Sequence, residues 1–165
     1  MQVFLETRRL VLRRFTVADA DDLVSLDADP DVMRFVTGGV PTSREEIENE
    51  VLPAFLGYYQ RYEGFGFWAA VEKGTGEFLG WFHFRPRPDA GPGAAEPGYR
   101  LRKPAWGQGY ATEGPRALIG KGLFRVRRAA GGRGGDGGQY GLAAGDGEGG
   151  PEAGADLPSA LAASG

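Results

Sequence analysis

Between Phe65 and Phe84 the chain carries two aromatic-rich runs, Phe65 to Val71 and Phe78 to Phe84, joined by Lys73-Gly74-Thr75-Gly76. Aromatic and β-branched side chains suit a pleated surface, and a short glycine-containing turn between two such runs makes an antiparallel hairpin. That hairpin fixes the middle of the fold as antiparallel sheet. Pro86 to Pro97 follows as a loop with four prolines, and Tyr99-Arg100-Leu101 reads as a third strand, starting as early as Glu96. Upstream, Arg8 to Phe15 reads as a strand with Leu10 and Leu12 on one face. Its arginines, Arg8, Arg9, Arg13 and Arg14, read as the exposed face of an edge strand.

Helical signals fill the space between these strands. Thr16-Val17-Ala18-Asp19 resembles a capping box with aspartate in place of glutamate, and Ala20, Leu23, Val24 and Leu26 continue it as a stripe ending near Asp29-Pro30. A short helical turn carries Val32, Met33 and Phe35. Ser43-Arg44-Glu45-Glu46 is a fuller capping box, opening a helix with Ile47, Val51, Phe55 and Tyr58 or Tyr59 at helical spacing. Pro53 lies inside that pattern and should kink it. The order is strand, two or three helices, three antiparallel strands, glycine turn, helix, which is α+β and not a repeating βαβ series.

The glycine turn is Trp106-Gly107-Gln108-Gly109-Tyr110-Ala111-Thr112-Glu113, and it opens a helix through Ala117, Leu118 and Ile119. Glycines one residue apart let the backbone turn its N–H groups outward, and a helix start adds free N–H groups and a positive dipole end. Together they suit a phosphate or pyrophosphate. A lone G-x-G before a helix is also a common structural turn. The dinucleotide fingerprint is excluded, because Thr112 occupies the third glycine position and no parallel strand follows; a Walker-type Gly-Lys-Ser/Thr ending is absent too.

Composition narrows the chemistry. A chain of 165 residues suits one domain. A formal net charge of −3 argues against nucleic acid as the main partner. Without cysteine there is no disulfide framework or thiolate metal site, and the single histidine, His83, would have to serve any Ser-His-Asp triad alone. His83 lies in Trp81-Phe82-His83-Phe84, where a strand-surface or half-buried structural role is the simpler reading. No apolar run reaches membrane-span length and no signal-like segment opens the chain, so a soluble, cytoplasmic protein with no membrane partner is expected.

The motifs in order are more specific than any one of them. Glu6-Thr7-Arg8-Arg9-Leu10-Val11-Leu12-Arg13 comes first, then Asp29-Pro30-Asp31-Val32-Met33. Gly98-Tyr99-Arg100-Leu101 then precedes the glycine turn. This order resembles the GNAT acetyltransferase superfamily, in the RimJ/RimL-like branch of ribosomal-protein N-terminal acetyltransferases, over roughly residues 4–122. The resemblance implies a mostly antiparallel sheet flanked by helices. It also implies acetyl-coenzyme A as co-substrate and direct acyl transfer to an amine, without a covalent enzyme intermediate. Carried over, Gly107, Gln108, Gly109, Tyr110, Ala111 and Thr112 seat the pyrophosphate, and the strand with Tyr99 and Leu101 pairs with the pantetheine arm. Glu96 becomes the candidate base, directly or through water; the plainer alternative is a solvated loop carboxylate. Arg100, Arg102 and Lys103 either meet the coenzyme phosphates or end a strand in solvent. Tyr58, Tyr59, Phe65, Phe67 and Trp68 either line an acceptor pocket or pack the core. A non-catalytic coenzyme- or phosphate-binding module, or an interaction protein, is the competing class. The acceptor amine and the oligomeric state are not legible in the residues.

The chain divides near residue 122. All three tryptophans and nine of the ten phenylalanines lie before it, whereas residues 123–165 are rich in glycine and alanine. Such a segment buries too little surface to offset its ordering entropy and is expected to stay disordered. The genetic code supplies a reason. If each codon is rebuilt from the last two bases of one tail codon and the first of the next, Gln139 gives Asn or Ser and Tyr140 gives Thr or Met. Asp136 and Asp146 likewise give Met or Thr, and Glu148 gives Lys or Arg. One permitted reading of Leu123 to Pro151 has a strand, the family's V-N-x-A-S segment and a helix. A single frameshift close to Gly122 explains it; a genuine low-complexity tail is the alternative. The shift removes the second wall of the coenzyme cleft, so weak stability and little activity are expected of the chain as written.

Overall fold

The computed structural model describes residues 1–87 and 94–129. Five strands form one antiparallel sheet in sequential order: β1 (Val3–Glu6), β2 (Leu10–Arg14), β3 (Gly66–Glu72), β4 (Phe78–Pro86) and β5 (Ala95–Leu101). The expected central hairpin is β3–β4, with Trp68 opposite Phe82 and Ala69 opposite Trp81. Strand β5 continues it, with Arg100 opposite Trp81 and Glu96 opposite Arg85.

Residue alternation gives the sheet two buried faces. On one, Phe67, Ala69 and Trp81 pack with Leu23, Leu26, Val32, Ile47, Leu52 and Phe55. These come from α1 (Ala20–Asp27), α2 (Pro30–Thr37) and the helical stretch 44–61. That stretch is a turn of α3 (Arg44–Glu46), a π-helical segment (Ile47–Val51) and α4 (Leu52–Arg61). The other face carries Leu10, Leu12, Trp68, Ala70 and Phe82 against Tyr110 and Leu118 of α5 (Tyr110–Ala129). Helix α5 comes close because its contact positions are small. A Cβ at Gly114 would run into the Phe82 ring, and one at Gly122 would stand 2.5 Å from Phe84.

The caps read from sequence at Thr16 and Ser43 are present, and Asp29 adds another. Asp19 accepts from the Thr16 N–H at 2.7 Å, Ser43 Oγ accepts from the Glu46 N–H at 3.1 Å, and Asp29 caps α2 with Pro30 in its first turn. Pro53 ends the π-helical segment instead of bending a regular helix; the widened turn accommodates the missing donor.

Further expectations are corrected. Val3–Glu6 forms an unanticipated strand outside β2, so the arginine-rich strand is not an edge. Arg13 is not a solvated side chain either: it makes a two-pronged pair with Asp19, with Nη2–Oδ1 at 2.7 Å and Nη1–Oδ2 at 2.9 Å. The Asp19 carboxyl is desolvated by burial, yet the Arg13 and Thr16 hydrogen bonds hold it below its ordinary value. The proline-rich loop is shorter than expected, because β4 runs through Pro86 and β5 starts at Ala95. Helix α5 also continues to Ala129, so the backbone of 123–129 extends it. The rest of the expected disordered segment, 130–165, lies outside the described residues. No helix among the described residues is long and apolar enough to cross a membrane.

Gly114→Ala tests the α5 packing against intrinsic propensity. Alanine favours a helix by about 1 kcal/mol over glycine, but overpacking against Phe82 should cost about 1–3 kcal/mol. A lowered melting temperature is expected; an unchanged or raised one contradicts the packing.

Candidate functional site

The glycine turn sits where β5 leaves the sheet. Arg102 N–H bonds Leu79 O at 2.8 Å, a 3-10 turn (Lys103–Ala105) follows, and Trp106 Nε1 donates back to Leu101 O at 2.9 Å. Gly107 and Gly109 then take φ of +70° and +85°, the left-handed region that side chains other than glycine's resist. Gln108 Nε2 donates to Pro104 O at 2.6 Å, tying its side chain away from the front of the turn. Helix α5 begins at Tyr110. The N–H groups of Thr112 and Glu113 both bond Gly109 O, whereas those of Gly107, Gln108 and Gly109 have no acceptor among the described residues. Free amides followed by a helix start form an anion seat.

Behind the seat stands a group that sequence reasoning passed over. Glu113 Oε1 accepts from Thr7 Oγ1 at 2.5 Å and from Arg9 N–H at 3.0 Å; Oε2 accepts from Arg9 Nε at 2.7 Å. Arg9 also reaches Gln108 O at 2.8 Å and lies 4.2 Å over the Tyr110 ring, whose hydroxyl donates to Glu72 at 2.7 Å. Burial opposes charge on Glu113, but the Thr7 and Arg9 hydrogen bonds outweigh it and hold the carboxyl below its ordinary value. The signal was in the sequence, since Thr7, Arg9 and Glu113 all lie in its motifs; their pairing across more than one hundred residues was not.

Along β5, alternation separates the remaining candidates. Tyr99 and Leu101 join the α5 face. Glu96, Gly98 and Arg100 share the other. Glu96 is inside the strand, not in a loop before it: its Oε1 accepts from Arg85 at 2.6 Å. Its Oε2 lies 3.6 Å from Arg87 Nε, beyond hydrogen-bond range, which leaves that oxygen able to accept a further donor. Tyr58 faces the same charges; burial raises its hydroxyl, with Tyr62 and Glu96 adding to the shift and Arg85 opposing it. Pro97 is accommodated in β5 opposite Phe84.

The three cations next to the turn are committed elsewhere. Arg100 is buried against Asp27 at 2.7 Å, and Thr42 caps the same carboxylate. Arg102 lies over Phe78 and contacts Ser25, while Lys103 pairs with Asp31. None reaches the seat. Of the aromatic candidates, Phe67 and Trp68 are core, and the Tyr59 hydroxyl is used by the backbone of Phe15 and Phe67, its pKa pushed up to about 12 mainly by burial. Tyr58 and Phe65 stay partly exposed.

His83 is fully buried, not half-buried, at 2% exposure. Its ring lies against the Gly98 backbone, between Phe67 and Trp81. Burial first, then Arg85 and Arg100, push its pKa down to about 3. Such a group is neutral at pH 7: it keeps one ring N–H but has no imidazolium proton to give as a general acid. Because the unfolded chain takes up a proton near pH 6.5 and the folded one does not, stability is full above about pH 6.5 and falls below it. By pH 5, His83 should account for about 2 kcal/mol of lost stability. Denaturant melts should therefore show a shallower acid limb in His83→Gln than in the parent; parallel limbs would contradict the burial.

Comparisons with known proteins identify a family. A family model described as an acetyltransferase (GNAT) domain matches residues 9–129. The FsC-acetyl coenzyme A-N(2)-transacetylase of Aspergillus fumigatus is 33% identical over 124 residues, covering 72% of this chain and 52% of the fungal protein. The chain spans about half to two thirds of the length of the curated relatives it matches. Among solved structures, an acetyltransferase of Agrobacterium tumefaciens superimposes with a TM-score of 0.59 at 26% identity, over 74% of this chain and 68% of that one. The ribosomal-protein acetyltransferase RimL, in complex with coenzyme A, shares the fold at a TM-score of 0.59 and 21% identity, over 77% of this chain and 69% of that one.

Proposed function

The chain belongs to the GNAT acetyltransferase family, and from that membership we propose that it binds acetyl-coenzyme A at the turn 106–112 and transfers the acetyl group to a primary amine. The observation that carries this reading is the turn itself: two left-handed glycines, three N–H groups without acceptors among the described residues and a helix start. In this reading Gly107, Gln108, Gly109, Tyr110, Ala111 and Thr112 surround the pyrophosphate. The pantetheine arm runs along β5 past Leu101 and Tyr99 toward Glu96. Five residue steps along the strand separate Leu101 from Glu96, about 17 Å, on the scale of an extended pantetheine.

Glu96 takes the proton from the attacking ammonium, directly or through a water, at Oε2, the oxygen that Arg87 faces at 3.6 Å without hydrogen-bonding it. The amine nitrogen bonds to the thioester carbonyl carbon, the C–S bond breaks, and the thiolate leaves with the electron pair and is then protonated. Backbone amides that polarise the carbonyl lower the barrier further. The RimJ/RimL-like motif order supports a protein N-terminus as acceptor, with polyamines and other small-molecule amines as the alternatives. A cytoplasmic setting belongs to the same reading.

The frame reading completes the proposal. We place a single frameshift close to Gly122, which leaves this chain with weak activity at most and the restored frame with full activity. Its support is the agreement of the nearly fixed shifted codons with the family segment. Sequencing the gene across this point tests it: an alternative frame encoding V-N-x-A-S supports the shift, and its absence sinks it.

Titration with coenzyme A tests the seat. Nothing lies within 4 Å of a Cβ at Gly107, so Gly107→Val disturbs only the backbone. It should weaken binding at least tenfold, about the worth of one charged hydrogen bond. Unchanged affinity would refute the seat. In an acetylation assay on a panel of amines, the restored-frame enzyme should turn over and its Glu96→Gln variant should lose about 10²–10⁴-fold in kcat. Coenzyme binding without turnover by the restored enzyme would favour a non-catalytic module.

A further inference from the structure

We propose that Arg9, locked by Glu113, is a positioning residue for the coenzyme seat, fixing the Gln108–Gly109 peptide so that the Gly109 N–H faces the pyrophosphate. The inference rests on the seat described above and goes beyond it by assigning a role to a residue of the β1–β2 turn, remote in sequence. In a trans peptide the carbonyl and the following N–H point in opposite directions, and no peptide bond among the described residues is cis. Arg9 Nη1 holds Gln108 O at 2.8 Å, so the Gly109 N–H points away from Arg9. The approach is close: a Cβ at Gly109 would stand 3.3 Å from Arg9 Nη2.

Arg9 is itself fixed from three sides. Nε and Nη2 each lie 2.7 Å from Glu113 Oε2, the backbone N–H of Arg9 donates to Oε1, and the guanidinium rests on Tyr110. The arrangement also solves an electrostatic conflict. A carboxylate in the first turn of α5 suits the helix dipole but would repel a bound pyrophosphate. Thr7 and Arg9 occupy both oxygens of Glu113 and neutralise it, leaving the helix start positive toward a ligand.

The test is calorimetric titration of the full chain with coenzyme A and, separately, with adenosine 5′-diphosphate as the pyrophosphate probe. Arg9→Ala and Glu113→Gln should each weaken both ligands about tenfold, a 1.4 kcal/mol difference, and the double variant should be no worse than the weaker single one. Arg9→Lys separates geometry from charge. A lysine cannot hold Gln108 O and Glu113 at once, so it should bind as poorly as alanine; full rescue by lysine would overturn positioning. Arg13→Ala breaks an equally short ion pair, Arg13–Asp19, away from the turn. It should lower the melting temperature without changing affinity, and an equal loss of affinity would overturn the proposal. If the parent chain binds neither ligand, the seat reading fails, and backbone NMR order parameters of the free protein then judge the positioning by themselves. Gln108 and Gly109 should drop from about 0.85 toward 0.6 in Arg9→Ala; unchanged values would overturn it.

Discussion

Four donors from Thr7 and Arg9 converge on the carboxylate of Glu113, residues 104 to 106 positions away in the chain. This junction ties the β1–β2 turn to the first turn of α5 and so to the glycine turn before it. Sheet packing alone would not set the rotation of α5 about its axis. Gly114 and Leu118 decide how close the helix comes, and Glu113 decides which way its N-terminus faces. The free amides of Gly107, Gln108 and Gly109 take their direction from both.

A second anchor acts on the other face. Arg100 and Asp27 are buried together, and Thr42 completes the carboxylate's partners. Breaking such a pair from one side leaves an uncompensated buried charge, at a cost of about 3–5 kcal/mol. The pair joins the end of α1 to β5 next to the point where β5 turns toward the seat. It also explains why a cation beside the glycine turn is unavailable to a phosphate. In the proposed reading the seat therefore relies on backbone amides and the helix dipole, with Arg9 behind the turn. On the same face Glu96 is held by Arg85 through one oxygen, while the other faces Arg87 at 3.6 Å.

Much of this was readable before the coordinates. The β3–β4 hairpin and the β5 strand follow from aromatic runs and a glycine turn, and the caps at Thr16 and Ser43 from local hydrogen-bonding chemistry. What escaped the sequence was mostly non-local. Val3–Glu6 is four residues long with no turn signal of its own and becomes a strand only because β2 offers an edge. Arginines in and just before β2 look solvent-facing by composition, and only the fold brings Asp19 to Arg13 and Glu113 to Arg9. His83 is buried because Gly98 opposite it has no side chain, a fact of strand register that residue type cannot show. The motif set identified the family, and the family identified the turn; the residues that hold the turn in place required three dimensions.

The central claim is that the backbone of the glycine turn receives a pyrophosphate. Amide-resolved NMR during addition of coenzyme A measures it most directly. The account predicts that the largest shifts fall on the amides of Gly107, Gln108, Gly109, Tyr110 and Ala111, with smaller ones along Tyr99 and Leu101. Shifts confined to another surface, or none at saturating coenzyme, would contradict it.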